Sequence, residues 1–209
     1  MPAPNQEVVW SGALPQSADT MKNHSISTAC CSAERSGAIS LIRVRPAAGN
    51  RRRGWLTAGD LIIPVALGRG GIRANKREGD GATPKGIFRP RRLWWRADRS
   101  PRPQTLLPTR AIGACDAWCE DPTDRRYNRP FQIRPDESGD RLRRIDHLYD
   151  FIIEIDHNAD PVVRWRGSAV FIHLAATGFS PTAGCVAMAR TAMLRLLNRL
   201  GPSSRIVIG

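Results

Sequence analysis

At 209 residues the chain has room for one domain with a full hydrophobic core, and two such domains would be cramped. A hydrophobic content of 41% with 18 glycines and 16 prolines excludes wholesale disorder and points to a loop-rich, largely β protein rather than a helical bundle. The formal charge of +13 rests almost wholly on arginine, with lysine only at Lys22, Lys76 and Lys85, and suits carboxylates or phosphates.

The basic residues are scattered, notably at Arg51-Arg52-Arg53, Arg91-Arg92, Arg125-Arg126 and Arg143-Arg144. No interleaved aromatic platform or zinc-finger spacing accompanies them, so a nucleic-acid partner is not expected. Five cysteines, an odd number, argue against a closed disulfide framework. Cys115 and Cys119 lack a second Cys pair and are weak evidence for zinc, with His147 or His157 as the only companions. No metal and no cofactor is expected. The longest apolar runs, near Leu61 to Leu67 and Phe151 to Ile155, are too short to span a bilayer. The amino end lacks a basic segment followed by an apolar one, so a soluble cytoplasmic protein is expected, or a periplasmic one if the start codon lies elsewhere or export is non-standard.

Taken in order, residues 1–38 are polar and Ser-rich and read as a flexible extension, with residues 39–209 forming the domain. Ile39, Leu41, Ile42 and Val44 suggest a first strand ended by Pro46. Gly59-Asp60 reads as a hairpin turn into Leu61 to Leu67, where Pro64 suggests an edge or a bulge. Short strands between glycine turns favour a β sandwich or barrel-like sheet. Residues 68–88 form a glycine-rich charged loop. It is not a phosphate loop, because the GxxxxGK(S/T) order is absent, and it reads either as a substrate border or as plain surface. Ile87 to Asp98 is strand-like, with Trp94 and Trp95 expected in the core. Residues 99–135 are an irregular insertion able to wall a cleft. Within it Arg126, Tyr127, Asn128 and Arg129 are candidate contacts to a peptide's carboxylate and amides, or else anchors of the loop itself. His147, beside Asp146 and Asp150, heads a strand through Ile155. Met193, Leu194, Leu196, Leu197 and Leu200 have helical spacing, with Gly201-Pro202 as the stop, and Arg205 to Ile208 reads as a last strand.

The chemistry gathers at residues 169–188, AVFIHLAATGFSPTAGCVAM. His173 sits inside an apolar run that reads as a strand buried on both faces. A turn-rich loop then leads to Cys185, which follows Gly184 and is expected to expose its thiol at the mouth of the loop. An imidazole beside that thiol would lower its pKa and generate the thiolate, although a buried cysteine is otherwise a small hydrophobe and a strand histidine a satisfied core residue. A helix starting a few residues later would add its dipole.

His173 followed by Pro181, Thr182, Gly184, Cys185, Val186 and Met188 resembles the H…(S/T)xGC(V/I)xM signature of the L,D-transpeptidase catalytic-domain family, called YkuD-type. Upstream, Thr83-Pro84-Lys85-Gly86-Ile87-Phe88 resembles that family's TPxGxF element. The resemblance spans roughly residues 40 to 209. It implies a mainly β catalytic domain with a C-terminal helix, Cys185 as nucleophile, His173 as base, and the backbone N–H groups of Gly184 and Cys185 as oxyanion donors. Thr182 joins Arg126, Tyr127, Asn128 and Arg129 as a candidate substrate contact. Ala183 and Ala187 stand where the commoner signature, SHGC(I/V)(R/N), has His and Arg or Asn. With KREGDGATPxG and RxYNRP, the chain is more similar to a compact subgroup that includes cytoplasmic L,D-carboxypeptidases. The implied partners are peptidoglycan stem peptides or soluble muropeptides, with carbapenem-type compounds as inhibitors. The implied reaction is cleavage of the bond from meso-diaminopimelate to D-alanine, with an L,D-transpeptidase or an inactive peptidoglycan-binding module as the alternatives.

Overall fold

The computed structural model describes residues 38–209. The extension expected over residues 1–38 therefore lies, but for Ala38, outside the described residues. Chain order begins with β1 (Leu41–Ala47), β2 (Asn50–Ala58) and β3 (Leu61–Ala66), a meander whose turns use Gly49 and Gly59 at positive φ. Then come the short strands β4 (Ile72–Arg73), β5 (Thr83–Pro84) and β6 (Gly86–Phe88), and the longer β7 (Pro90–Trp95). The insertion, expected to be irregular, contributes β8 (Thr109–Ala111), β9 (Asp116–Trp118) and β10 (Pro130–Gln132), and β11 (Asp140–Arg141) follows it. The chain closes with β12 (Phe151–Ile155), β13 (Phe171–Leu174), β14 (Val186–Met188), the helix α1 (Arg190–Leu197) and β15 (Arg205–Ile208).

Ten strands form one mixed sheet in the order β6-β15-β1-β2-β3-β14-β13-β12-β7-β8. The mainly β architecture with one C-terminal helix is the one the sequence implies, built on a single large sheet with β9, β10 and β11 as a small second one and β4 with β5 as a two-stranded third. β1 continues one residue past Pro46, where its pairing with β2 shifts register. Pro64 sits on an interior strand, yet its reading as an edge residue is half right. β14 pairs only with Val65 and Ala66, so the stretch of β3 that holds Pro64 is bonded to β2 alone and its missing N–H deprives no partner.

Side-chain alternation gives the sheet two different faces. One carries the main core, with Ile42, Leu56, Ile63, Val65, Ile153, Ile172 and Met188 meeting Met193, Leu196 and Leu197 of α1. The other carries Trp94, Ile152, Phe171 and Cys185, and here Ile112 and Trp118 of the insertion, with Leu142 and Tyr149 just beyond it, pack against them. Trp94 is fully buried, as expected.

Candidate active site

β13 and β14 run parallel with His173 opposite Ala187. Cys185 lies two residues before Ala187, so period-2 alternation puts its thiol and the imidazole on the same face of adjacent strands. Both line one cavity of about 310 Å³, together with Tyr149, Ala176, Pro181 and Thr182. On its other side Cys185 also borders a second cavity of about 300 Å³, walled by Lys76, Glu78, Glu120, Asp140 and Arg144.

The imidazole is held by its neighbours. Nδ1 lies 2.8 Å from the carbonyl oxygen of Leu174, and since a carbonyl only accepts, Nδ1 carries the hydrogen and Nε2 keeps the lone pair. The ring stands edge-on to Tyr149 at 5.3 Å. Burial, only partly offset by the Leu174 carbonyl, brings its pKa down to about 4. His173 is thus a neutral base at physiological pH.

The expected exposed thiolate is corrected by the structure. Cys185 is 7% exposed, and burial pushes its thiol up to about 12, against a smaller opposing pull from the Phe171 N–H. Its Sγ donates to the Ala169 carbonyl at 3.2 Å and accepts from the Phe171 N–H at 3.3 Å. The dipole of α1 is not placed to change this: α1 starts at Arg190, beyond the far end of β14, about 16 Å of extended chain from Cys185.

Gly184 is required twice over. Its φ is +149°, and a Cβ there would lie 2.9 Å from the carbonyl oxygen of Ala82. Its N–H, expected as an oxyanion donor, is taken by Thr182 Oγ1 at 3.1 Å. The same hydroxyl donates to the Cys185 carbonyl at 2.7 Å, and Thr83 of the TPKG element donates to that carbonyl at 3.5 Å. Thr182 is therefore a clamp on the Cys185 backbone, and the two motifs meet behind the thiol.

The remaining expected substrate contacts lie elsewhere. The Tyr127 hydroxyl donates to Glu78 and accepts from the Gly167 N–H at 3.1 Å. Asn128 Oδ1 accepts from Trp118 Nε1 at 2.9 Å and from the Ala169 N–H at 3.1 Å, while Nδ2 donates to the carbonyls of His157 and Asn158. Arg126 grips Asp124 and Glu137, and Arg129 is exposed and borders a different cavity with Arg91 and Glu154. Tyr127 and Asn128 instead anchor residues 167–169, and Ala169, at φ +50°, presents the carbonyl that holds the Cys185 thiol. His147 is an exposed surface residue 2.9 Å from Asp150.

Sequence reasoning missed the charged cavity. Lys76 is buried and bonds Asp80 at 2.6 Å; Tyr149 donates to Asp140 at 2.7 Å, and Arg144 stacks on the Tyr149 ring. Crowding by the cavity walls, with Asp140 and Glu78 nearby, pushes Glu120 up to about 7 even though its side chain still meets solvent. Lys76 and Glu78 stand in the KREGDG stretch, so that motif was the available signal; Glu120, Asp140 and Arg144 carry none.

The chain matches the profile of the YkuD L,D-transpeptidase catalytic domain over residues 42–208. It belongs to that family. Among solved structures, L,D-transpeptidase 3 from Mycobacterium tuberculosis is similar, with 9% identity over 80% of this chain and a TM-score of 0.37. The chain spans 60% of that structure. No curated protein matches the chain. Among the described residues of this YkuD-family chain, no helix is long and apolar enough to cross a membrane.

Proposed function

We propose that this YkuD-family domain performs cysteine-dependent acyl transfer on peptidoglycan stem peptides, with Cys185 as nucleophile and His173 as base. The observation that supports it is the placement of a buried thiol and a neutral imidazole on one sheet face, bordering one cavity, with the Leu174 carbonyl holding Nδ1–H so that Nε2 keeps the lone pair. Because burial holds the thiol protonated and the imidazole neutral, proton and bond move together. Nε2 takes the Sγ proton as sulfur attacks the carbonyl of the L-centre of meso-diaminopimelate. The oxyanion forms beside the Cys185 N–H, which has no hydrogen-bond partner among the described residues. The intermediate collapses to a thioester, and D-alanine leaves with the proton from His173. Water, deprotonated by the same nitrogen, then attacks the thioester carbonyl; the C–S bond breaks, Sγ regains the proton from His173 and the shortened peptide leaves, making the domain an L,D-carboxypeptidase of murein tetrapeptides.

A second reading has a specific support. Glu78, Glu120 and Asp140 face the cavity on the other side of the thiol, and carboxylates suit the ammonium group of an incoming amine. An amine in place of water makes an L,D-transpeptidase. Mass spectrometry of a disaccharide tetrapeptide incubated with the protein, with and without a D-amino acid, separates the two. Loss of D-alanine alone supports hydrolysis, and exchange products support transpeptidation. No change, or equal change with Cys185→Ala, overturns both.

A further inference from the structure

Among the described residues, the sheet face that carries the thiol is only half covered. The insertion packs over β14, β13, β12 and β7, but residue pairing carries the same face on through β3, β2, β1, β15 and β6. There one row reads Ile87, Val207, Arg43, Thr57, Ile62 across five strands, and Arg45 and Trp55 are paired in the next row. Ile87 is 64% exposed, Ile62 69% and Trp55 49%. Arg43 and Arg45 are also exposed and border two hollows, of about 290 and about 440 Å³, one on each side. None of the five strands contains an acidic residue, and no side-chain carboxylate lines either hollow. Four interstrand steps of about 4.8 Å make the strip about 19 Å wide.

We propose that this strip binds an anionic glycan chain, a peptidoglycan strand whose sugar carboxylates are free because the stem peptides once amide-linked to them have been removed. Charge complementarity is the first argument: two arginine forks stand in the middle of a strip without acids, and an arginine fork matches a carboxylate. Shape is the second. Aliphatic side chains and a single indole offer flat apolar surface to the C–H faces of sugar rings, whereas base stacking on single-stranded nucleic acid uses several aromatics. Continuity is the third. Arg53, on the same face, donates from Nη2 to the Gly178 carbonyl at 2.6 Å, tying β2 to the loop whose other side walls the His173 cavity. A chain lying on the strip reaches the outer side of the wall of the active cavity. The inference rests on the proposed function only for the identity of the polymer.

The test is retention of the full chain on peptidoglycan glycan strands stripped of their peptides, a cut that frees a carboxylate on alternate sugars. Retention is expected, weakening with salt and falling at least about tenfold when Arg43→Glu and Arg45→Glu remove the charge-assisted contacts. Trp55→Ala should weaken it too, with the thermal midpoint checked to show that the exposed site has not unfolded the domain. Turnover of a free tetrapeptide should be unchanged in all three variants. Cys185→Ala should bind glycan normally, so loss of catalysis and loss of glycan binding are separate failures. No retention, equal retention of the arginine variants, or tighter binding of single-stranded DNA than of glycan would overturn the proposal. So would self-association through this face that the Arg43 and Arg45 variants abolish, without glycan retention.

Discussion

Alkylation of Cys185 tests the resting state of the site directly. Burial pushes the thiol up to about 12, so at pH 7 the thiolate fraction is roughly one in 10⁵. The same cysteine in the unfolded chain, near pKa 8.5, is roughly 3% thiolate. Only the thiolate attacks, so the native rate with iodoacetamide should be about 10³-fold below that of the same residue in denaturant, before any further loss from its 7% exposure. The rate should keep rising as pH is raised through 10, with no plateau near neutrality. Quantifying the Cys185-containing peptide by mass spectrometry at a series of pH values, native and denatured, gives both numbers. A native Cys185 that is alkylated at pH 7 as fast as the denatured one, or that levels off below pH 8, would refute a protonated resting thiol and restore a preformed thiolate–imidazolium pair.

His173 predicts a stability profile. Its folded pKa near 4 lies below the unfolded value near 6.5, so between these values the unfolded chain binds the proton and the folded chain does not. Stability should therefore fall as pH falls from 6.5 to 4, by about 3 kcal/mol from this residue, and His173→Gln should flatten that part of a denaturant-midpoint profile. Gly184→Ala sets a Cβ against the Ala82 carbonyl at a positive φ. It should lower stability by about 1–3 kcal/mol and, by shifting the thiol, lower kcat about 10²-fold; unfolding curves and peptide turnover measure the two. Asn128→Ala strands the Trp118 indole N–H and the Ala169 N–H, and should cost about 2–3 kcal/mol in denaturation. It should also lower kcat more than it raises KM, since Asn128 acts through Ala169 on the thiol; a rise in KM alone would return it to the substrate contacts.

By itself the sequence determined the longer strands and the helix, because their signals are local, whereas the short β4, β5 and β8 to β11 carry no such signal. Alternating apolar residues made β1, β3 and β12 legible, and helical spacing made α1 legible. It also placed Cys185, Gly184 and His173 in one short segment, so their proximity needed only a parallel pairing of β13 with β14. The tertiary structure decided what those groups are in the resting protein. The insertion buries the thiol and the imidazole, and burial sets their ionisation against the thiolate that the Cys and His pairing alone suggests. It also decided that Tyr127, Asn128 and Thr182 bond the segments that hold Cys185, because a polar side chain's partner is chosen by folding, across 40 residues for Tyr127 and Gly167, and leaves no periodic trace in the chain. The charged cavity and the bare half of the sheet face follow the same rule. Lys76, Glu120 and Asp140 meet only in space, and which half of a ten-stranded face stays exposed depends on where the insertion comes to rest.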